Sequence, residues 1–214
     1  MEKKNGKLTG RYDTFVFDWD GTLNRMGSIL WMKDHAKILF GLYGRTGSGH
    51  APSGPVDIRG RIREEEIGSR FFSRLVDIKM VFSKVRIQEG AIEVLKLLKN
   101  KGKNVALFSD ADSYIVLKGV GQHDVEKYFD IIVSTKMFKA PKPHPLGLLE
   151  ILRLLGAKKD RTLYIGDTLL DYQAAKNAGV DFCAVCGGFD SYATFRKSGV
   201  KRIFRTIEEL KRSL

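Results

Sequence analysis

From Glu89 onward the chain alternates, and this alternation restricts the fold more than any single motif does. Short β-favouring apolar runs (Asn104 to Phe108, Ile131 to Val133, Arg161 to Ile165, Asp181 to Val185) are separated by stretches with helical spacing of apolar residues. Gly90 to Lys101 places Ile92, Leu95 and Leu98 on one face, and Gly102 suits its C-cap. Pro145 to Leu155 is followed by Gly156, and Thr168 to Ala178 by Gly179. The remaining pattern predicts a short helix over Asp124 to Tyr128, another around Tyr192 to Phe195, an edge strand at Ile203-Phe204, and a terminal helix Ile207 to Leu214 capped by Thr206. A first strand, Thr14 to Asp18, follows a polar lead-in over residues 1–13. Strands that alternate with helices imply a parallel sheet, because parallel neighbours need a crossover between them. The expected fold class is α/β: a Rossmann-like parallel sheet with helices on both faces.

Residues 26–88 break the alternation. Ile29 to Tyr43 and Arg59 to Val85 both carry apolar residues at helical spacing, and the stretch between them, Gly44 to Pro55, is rich in Gly, Ser and Pro. The reading is a smaller helical cap, residues 26–88, inserted after the first strand of a core made of residues 1–25 and 89–214. Gly44-Arg45-Thr46-Gly47-Ser48-Gly49-His50-Ala51 approaches a phosphate-binding P-loop but lacks its chemistry. His50 stands where the phosphate-reaching lysine belongs, and Ala51 where the metal-binding hydroxyl belongs.

Composition sets outer limits. The 214 residues suit one globular unit with an insert. Met1 to Arg11 is polar and lysine-rich without an apolar core, and no apolar run approaches the ~20 residues that span a bilayer, so a cytoplasmic protein with no membrane association is expected. The net charge of +12 is spread along the chain, and no zinc-finger or RNP sequence accompanies it. The charge therefore reads as solvated surface that draws in anions, not as a specific nucleic-acid site. Cys183 and Cys186 form C-x-x-C within a strand-like run, where positions three apart point to opposite faces; they read as ordinary thiols. Nothing in the sequence sets an oligomeric state.

The chemistry collects where strands end. Phe15-Val16-Phe17 runs into Asp18-Trp19-Asp20-Gly21, two carboxylates one residue apart beside a glycine that permits a tight loop. Neighbouring carboxylates repel unless a cation lies between them or one is protonated. Ser109-Asp110 ends a second strand, Asp167 with Asp171 follows another, and Lys142-Pro143 precedes a helix. In a parallel sheet all these ends share one edge, which is where ligands of open α/β sheets bind. Together they offer carboxylates for Mg²⁺ and a hydroxyl and an ammonium for phosphate.

These motifs resemble the haloacid dehalogenase superfamily, and within it the phosphoglycolate-phosphatase-like branch. Asp18-Trp19-Asp20-Gly21-Thr22-Leu23 is similar to the family's D-x-D-G-T-L, Lys142-Pro143-His144-Pro145 to its K-P-x-P, and Gly166-Asp167-Thr168 with Asp171 to its G-D-[ST] followed by Asp. Ser109 sits where the family has Ser or Thr, and the insert lies where this branch carries a helical cap. The resemblance implies a Mg²⁺-dependent phosphatase acting on a small phosphorylated metabolite. Asp18 would be the nucleophile, forming an aspartyl-phosphate, and Asp20 the acid and base. Ser109, Asp110 and Lys142 would hold the phosphoryl group. Mg²⁺ would be held by Asp18, Asp20 through its backbone carbonyl, and Asp167, with Asp171 in support directly or through water. The cap would supply specificity, with Arg45, His50 and Arg59 as candidate substrate contacts beside Arg61 and Trp31. Two alternatives remain at this level: a phosphomutase on a sugar phosphate, and a non-catalytic basic binding module. Metal-free dehalogenases of the family lack the second aspartate, which is present here as Asp20.

Overall fold

The computed structural model describes residues 7–25, 85–111, 113–138 and 140–214. Residues 26–84 of the expected cap (26–88), and with them Arg45, His50, Arg59, Arg61, Trp31 and the Gly44–Pro55 loop, fall outside these residues, whereas residues 85–88 are described and pack with the core domain.

The core is a six-stranded parallel sheet in the order β5-β4-β1-β6-β7-β8. Its strands are β1 (Thr14–Phe17), β4 (Asn104–Ser109), β5 (Ile131–Ser134), β6 (Thr162–Gly166), β7 (Asp181–Val185) and β8 (Ile203–Phe204). Phe17 lies beside Leu107 on one side and Ile165 on the other, so the residues after all three strands emerge along one edge. Strand order reverses at β1, which sets Asp18 at the switch point between β4 and β6.

Because side chains alternate along a strand, each strand feeds two separate apolar layers. Phe15, Phe17, Leu107, Leu163, Ile165 and Cys183 face one layer, shared with helices α2 (Ala91–Asn100), α3 (Ser113–Gln122) and α7 (Ile207–Ser213). Val16, Phe108, Tyr164, Phe182 and Ala184 face the other, covered by α4 (Leu146–Leu155), α5 (Leu169–Ala178) and α6 (Tyr192–Lys197). Helices thus cover both faces, as the alternation implied.

Several elements depart from the sequence reading. β1 ends at Phe17, leaving Asp18 just beyond the ladder. Leu8–Arg11, within the stretch read as a polar lead-in, makes one helical turn, α1, with Leu8 buried. Glu126–Tyr128 is a 3₁₀ turn rather than an α-helix. The helix α3 is new; its Gly119 and Gly121 mask the pattern. Gly119 is required by packing, since a Cβ there would stand 2.5 Å from the Trp19 indole. A two-stranded antiparallel ribbon, β2 (Asn24–Arg25) with β3 (Arg86–Ile87), was also unforeseen. It pairs the residues that flank positions 26–84 on either side. Among the described residues no helix is long and apolar enough to cross a membrane.

Candidate active site

The site is built on the loop that follows β1. Asp18 donates its amide to the carbonyl of Ile165, at 2.9 Å, so it continues the line of the strand. The chain then folds back within a few residues: the amides of Leu23 and Asn24 both donate to the carbonyl of Trp19, at 3.1 and 2.8 Å. Gly21 turns this corner at φ +85°, against the side chain of Asp167; a Cβ there would lie 2.2 Å from Asp167 Oδ2. No side chain but hydrogen fits both the backbone angle and the approach. Asp18 is directed inward and is 4 % exposed.

Asp167 and Asp171 come from the β6–α5 junction. Thr168 is the N-cap of α5 and forms a capping box with Asp171, each side chain bonded to the other's backbone amide. This local helix-start chemistry fixes Asp171 before any ligand is considered. Its Oδ2 accepts from Thr168 N (3.0 Å) and Oγ1 (2.6 Å), while its Oδ1 accepts from Tyr164 OH (2.6 Å) and Lys142 Nζ (2.7 Å). A carboxylate offers about four acceptor positions, and all are taken. Asp167 accepts from Thr22 Oγ1 at 3.2 Å and from the amide of Phe189 at 2.8 Å.

Lys142 unites the two sides. Its Nζ lies 2.5 Å from Asp18 Oδ1 and 2.7 Å from Asp171 Oδ1, with the rings of Phe108 and Tyr164 flanking it at 5.1 and 5.8 Å. One carboxylate oxygen from each of Asp18, Asp167 and Asp171 lies within 4.8 Å of the others, and all three residues are buried. Three buried carboxylates thus face a single ammonium. Burial pushes Asp18 well up from the ordinary carboxylate range, opposed by Lys142. Burial likewise raises Asp167 to about 6, opposed by the Phe189 amide. Asp171 is also penalised by burial, but the Lys142 charge and its four donors outweigh this and hold it low. Lys142 loses some basicity to burial and regains more from Asp171 and Asp18, so it stays protonated. An excess of buried negative charge with oxygen donors only is the environment a hard divalent cation satisfies.

The other expected residues are placed as follows. Asp20 is half-buried; its carboxylate accepts from Asn24 Nδ2 at 3.0 Å and is not one of the three clustered acids. Burial raises it, with Asn24 opposing. Ser109 ends β4, buried, its Oγ accepting from the amide of Ala111 at 3.0 Å. The carboxylate of Asp110 is engaged by Thr135 Oγ1 at 2.7 Å and the amide of Lys142 at 3.1 Å. Cys183 is buried, and burial pushes its thiol up, while half-buried Cys186 lies beyond the strand; neither belongs to this centre.

Four contributors escaped the sequence reading. Tyr164 could have been suspected, because a tyrosine inside an otherwise aliphatic buried strand needs a partner for its hydroxyl. Gly187-Gly188 after β7 marks another strand end on the same edge, and a Cβ on Gly188 would fall 1.9 Å from Asp167 Oδ2. Thr22 was read only as part of a motif. Gln88 carried no signal; its Nε2 donates to the carbonyls of Gly21 and Gly187, both at 3.3 Å, and ties together the two loops that enclose Asp167.

Comparison with known proteins identifies the family. A family model described as haloacid dehalogenase-like hydrolase matches residues 59–185, more than half of the chain. Pyrophosphatase PpaX of Halalkalibacterium halodurans is 28% identical over 178 residues, 81% of this chain and 83% of that protein. Phosphoglycolate phosphatase 1 of Pseudomonas aeruginosa is 29% identical over 104 residues, 49% of this chain and 38% of that protein. A HAD family hydrolase of Deinococcus radiodurans has the same fold, with a TM-score of 0.66 over 94% of this chain and 93% of that one, at 19% identity. The chain belongs to the haloacid dehalogenase-like hydrolases, on their phosphatase side, as its motifs implied.

Proposed function

We propose that the protein is a Mg²⁺-dependent phosphatase that hydrolyses a small phosphorylated metabolite through a phosphorylated Asp18. The observation that carries this reading is the buried triad of Asp18, Asp167 and Asp171 closed by the Lys142 ammonium at the switch point of the sheet. A carboxylate nucleophile must approach a phosphoryl group that is itself negative, which requires positive charge at the point of attack. Lys142 supplies one such charge. Asp18 and Asp167, with the backbone carbonyl of Asp20, would hold Mg²⁺, which when bound neutralises the remaining carboxylates and polarises the phosphoryl oxygens. Asp171, with every acceptor position engaged, orients Lys142 and would add negative charge beside the metal rather than a ligand atom.

The chain's own groups divide the work. Asp18, aimed inward by the Gly21 turn, attacks phosphorus in line with the departing oxygen. Asp20 is one turn of loop away and is held by Asn24. Its raised proton affinity suits a group that donates to the leaving oxygen and then accepts a proton from the hydrolytic water. Ser109, at the end of β4, and Lys142 would hold the transferring oxygens. Residues 26–84, including Arg45, His50 and Arg59, would recognise the remainder of the substrate. The names of the relatives make pyrophosphate and phosphoglycolate the first compounds to try.

The test is release of inorganic phosphate from an aryl phosphate and from those two compounds, with Mg²⁺ or with chelator. Parent enzyme should show metal-dependent release, and Asp18→Asn should lose at least about three orders of magnitude while keeping its folded circular-dichroism spectrum. Near-parental turnover by Asp18→Asn would overturn the assignment. Isomerised sugar phosphate without free phosphate would identify a mutase, and salt-sensitive nucleic-acid binding without turnover a binding module.

A further inference from the structure

We infer that Asp110 is a positioning residue: its carboxylate pins the backbone of Lys142 and so sets the spacing between Ser109 and Lys142, without touching the phosphoryl group. The inference rests on the phosphatase reading above and changes the role expected for Asp110 from its sequence position. Asp110 directly follows Ser109 at the end of β4. Its Oδ1 accepts from Thr135 Oγ1 at 2.7 Å, just past β5, and from the amide of Lys142 at 3.1 Å, 32 residues further along the chain. The neighbouring bonds lie in the same seam: Ser134 Oγ donates to the carbonyl of Ala111 at 2.6 Å, and the amide of Ala111 donates to Ser109 Oγ at 3.0 Å. The ends of β4 and β5 and the turn before α4 are thereby one hydrogen-bonded unit.

Charge argues in the same direction. A carboxylate set directly against a phosphoryl group would repel it, whereas a carboxylate that accepts from a hydroxyl and an amide is doing what its charge favours. Lys142 reaches Asp18 from irregular backbone, outside any helix or strand, so its approach depends on whatever fixes that backbone. Its amide bond to Asp110 is such a fixture. Displacement of a phosphate-holding group by about 1 Å can cost on the order of a hundredfold in rate.

The experiment compares parent, Asp110→Ala, Asp110→Asn and Thr135→Val for turnover of p-nitrophenyl phosphate with Mg²⁺, and for binding of inorganic phosphate by calorimetry. Asparagine still presents Oδ1 to both donors. We expect Asp110→Ala to lower kcat by about 10- to 100-fold with a smaller change in KM. Asp110→Asn should recover most of that loss. Thr135→Val should lie between them, and adding it to Asp110→Ala should cost nothing more. Asparagine as damaging as alanine would overturn the inference, because charge or proton transfer rather than acceptance would then matter. Alanine matching the parent would overturn it as well. If the folded parent shows no turnover, it is the phosphatase reading that fails, and phosphate binding then decides. Weaker binding by the alanine variant alone upholds the clamp, and equal binding by all four overturns it.

Discussion

Asp167 has no solvent exposure, yet the proposed function requires it to carry charge. It is kept in place by Thr22, by the Phe189 amide and by two glycines that leave no room for movement. In the metal-free protein this ionised carboxylate is a liability, since burial has raised it from 3.8 to about 6. Asp167→Asn removes the charge and keeps an acceptor. The variant should melt higher than the metal-free parent at pH 7.5, by about 1–3 kcal/mol or several degrees, and should gain nothing from Mg²⁺. A scan with and without chelator measures both effects; a lower melting point without metal would show that the carboxylate itself holds the fold together. At this scale the motif residues stood out because each motif is a short continuous run: Asp18 to Leu23, Lys142 to Pro145, and Gly166 to Asp171. Tyr164, Gln88 and Thr135 did not, because their partners lie 7, 67 and 25 residues away and depend on strand register.

Among the elements, α3 shows how a helix can be hidden. Ser113–Gln122 has apolar residues enough, but two glycines dilute its helical propensity, and the sequence alone cannot distinguish a weak helix from a loop. The structure supplies the reason for one of them: the helix lies against the indole of Trp19, the residue between Asp18 and Asp20, at a distance that excludes a methyl group. Gly119→Ala should therefore behave contrary to propensity. Alanine favours a helix by about 1 kcal/mol, but forcing a methyl group against a buried indole costs about 1–3 kcal/mol and displaces the loop. Net destabilisation, a shifted Trp19 emission and a reduced kcat are expected. A stabilised variant with parental activity would show that Trp19 yields without consequence. The six strands of the parallel sheet, by contrast, were legible almost to the residue, because a parallel strand covered on both sides must be apolar on both faces. Helix ends were legible where Gly156 and Gly179 adopt the left-handed conformation as C-caps.

For the molecule as a whole, the buried acids make stability depend on pH and metal together. An acid with a raised folded-state value binds its proton more tightly folded than unfolded. Its effect on the metal-free protein is least harmful below 3.8, grows as pH rises through the interval to about 6, and is fully unfavourable above it. Asp18 is shifted in the same direction. Metal-free protein should therefore lose stability between about pH 4 and 6.5, and the rise in melting temperature on adding Mg²⁺ should be larger at pH 8 than at pH 5. Equal Mg²⁺ effects at both values would mean that the cation does not compensate these carboxylates.

The ribbon of β2 and β3 bears on how such a protein can change over time. Asn24 is paired with Ile87 and Arg25 with Arg86, so the chain departs and comes back side by side. The two ends of the stretch between Arg25 and Arg86 are therefore held together by backbone pairing. With those ends fixed, a change in the number of residues between them carries only a slowly growing cost in loop-closure entropy. Under the function proposed above, a substrate can then be exchanged by rewriting that stretch while the reacting residues stay as they are.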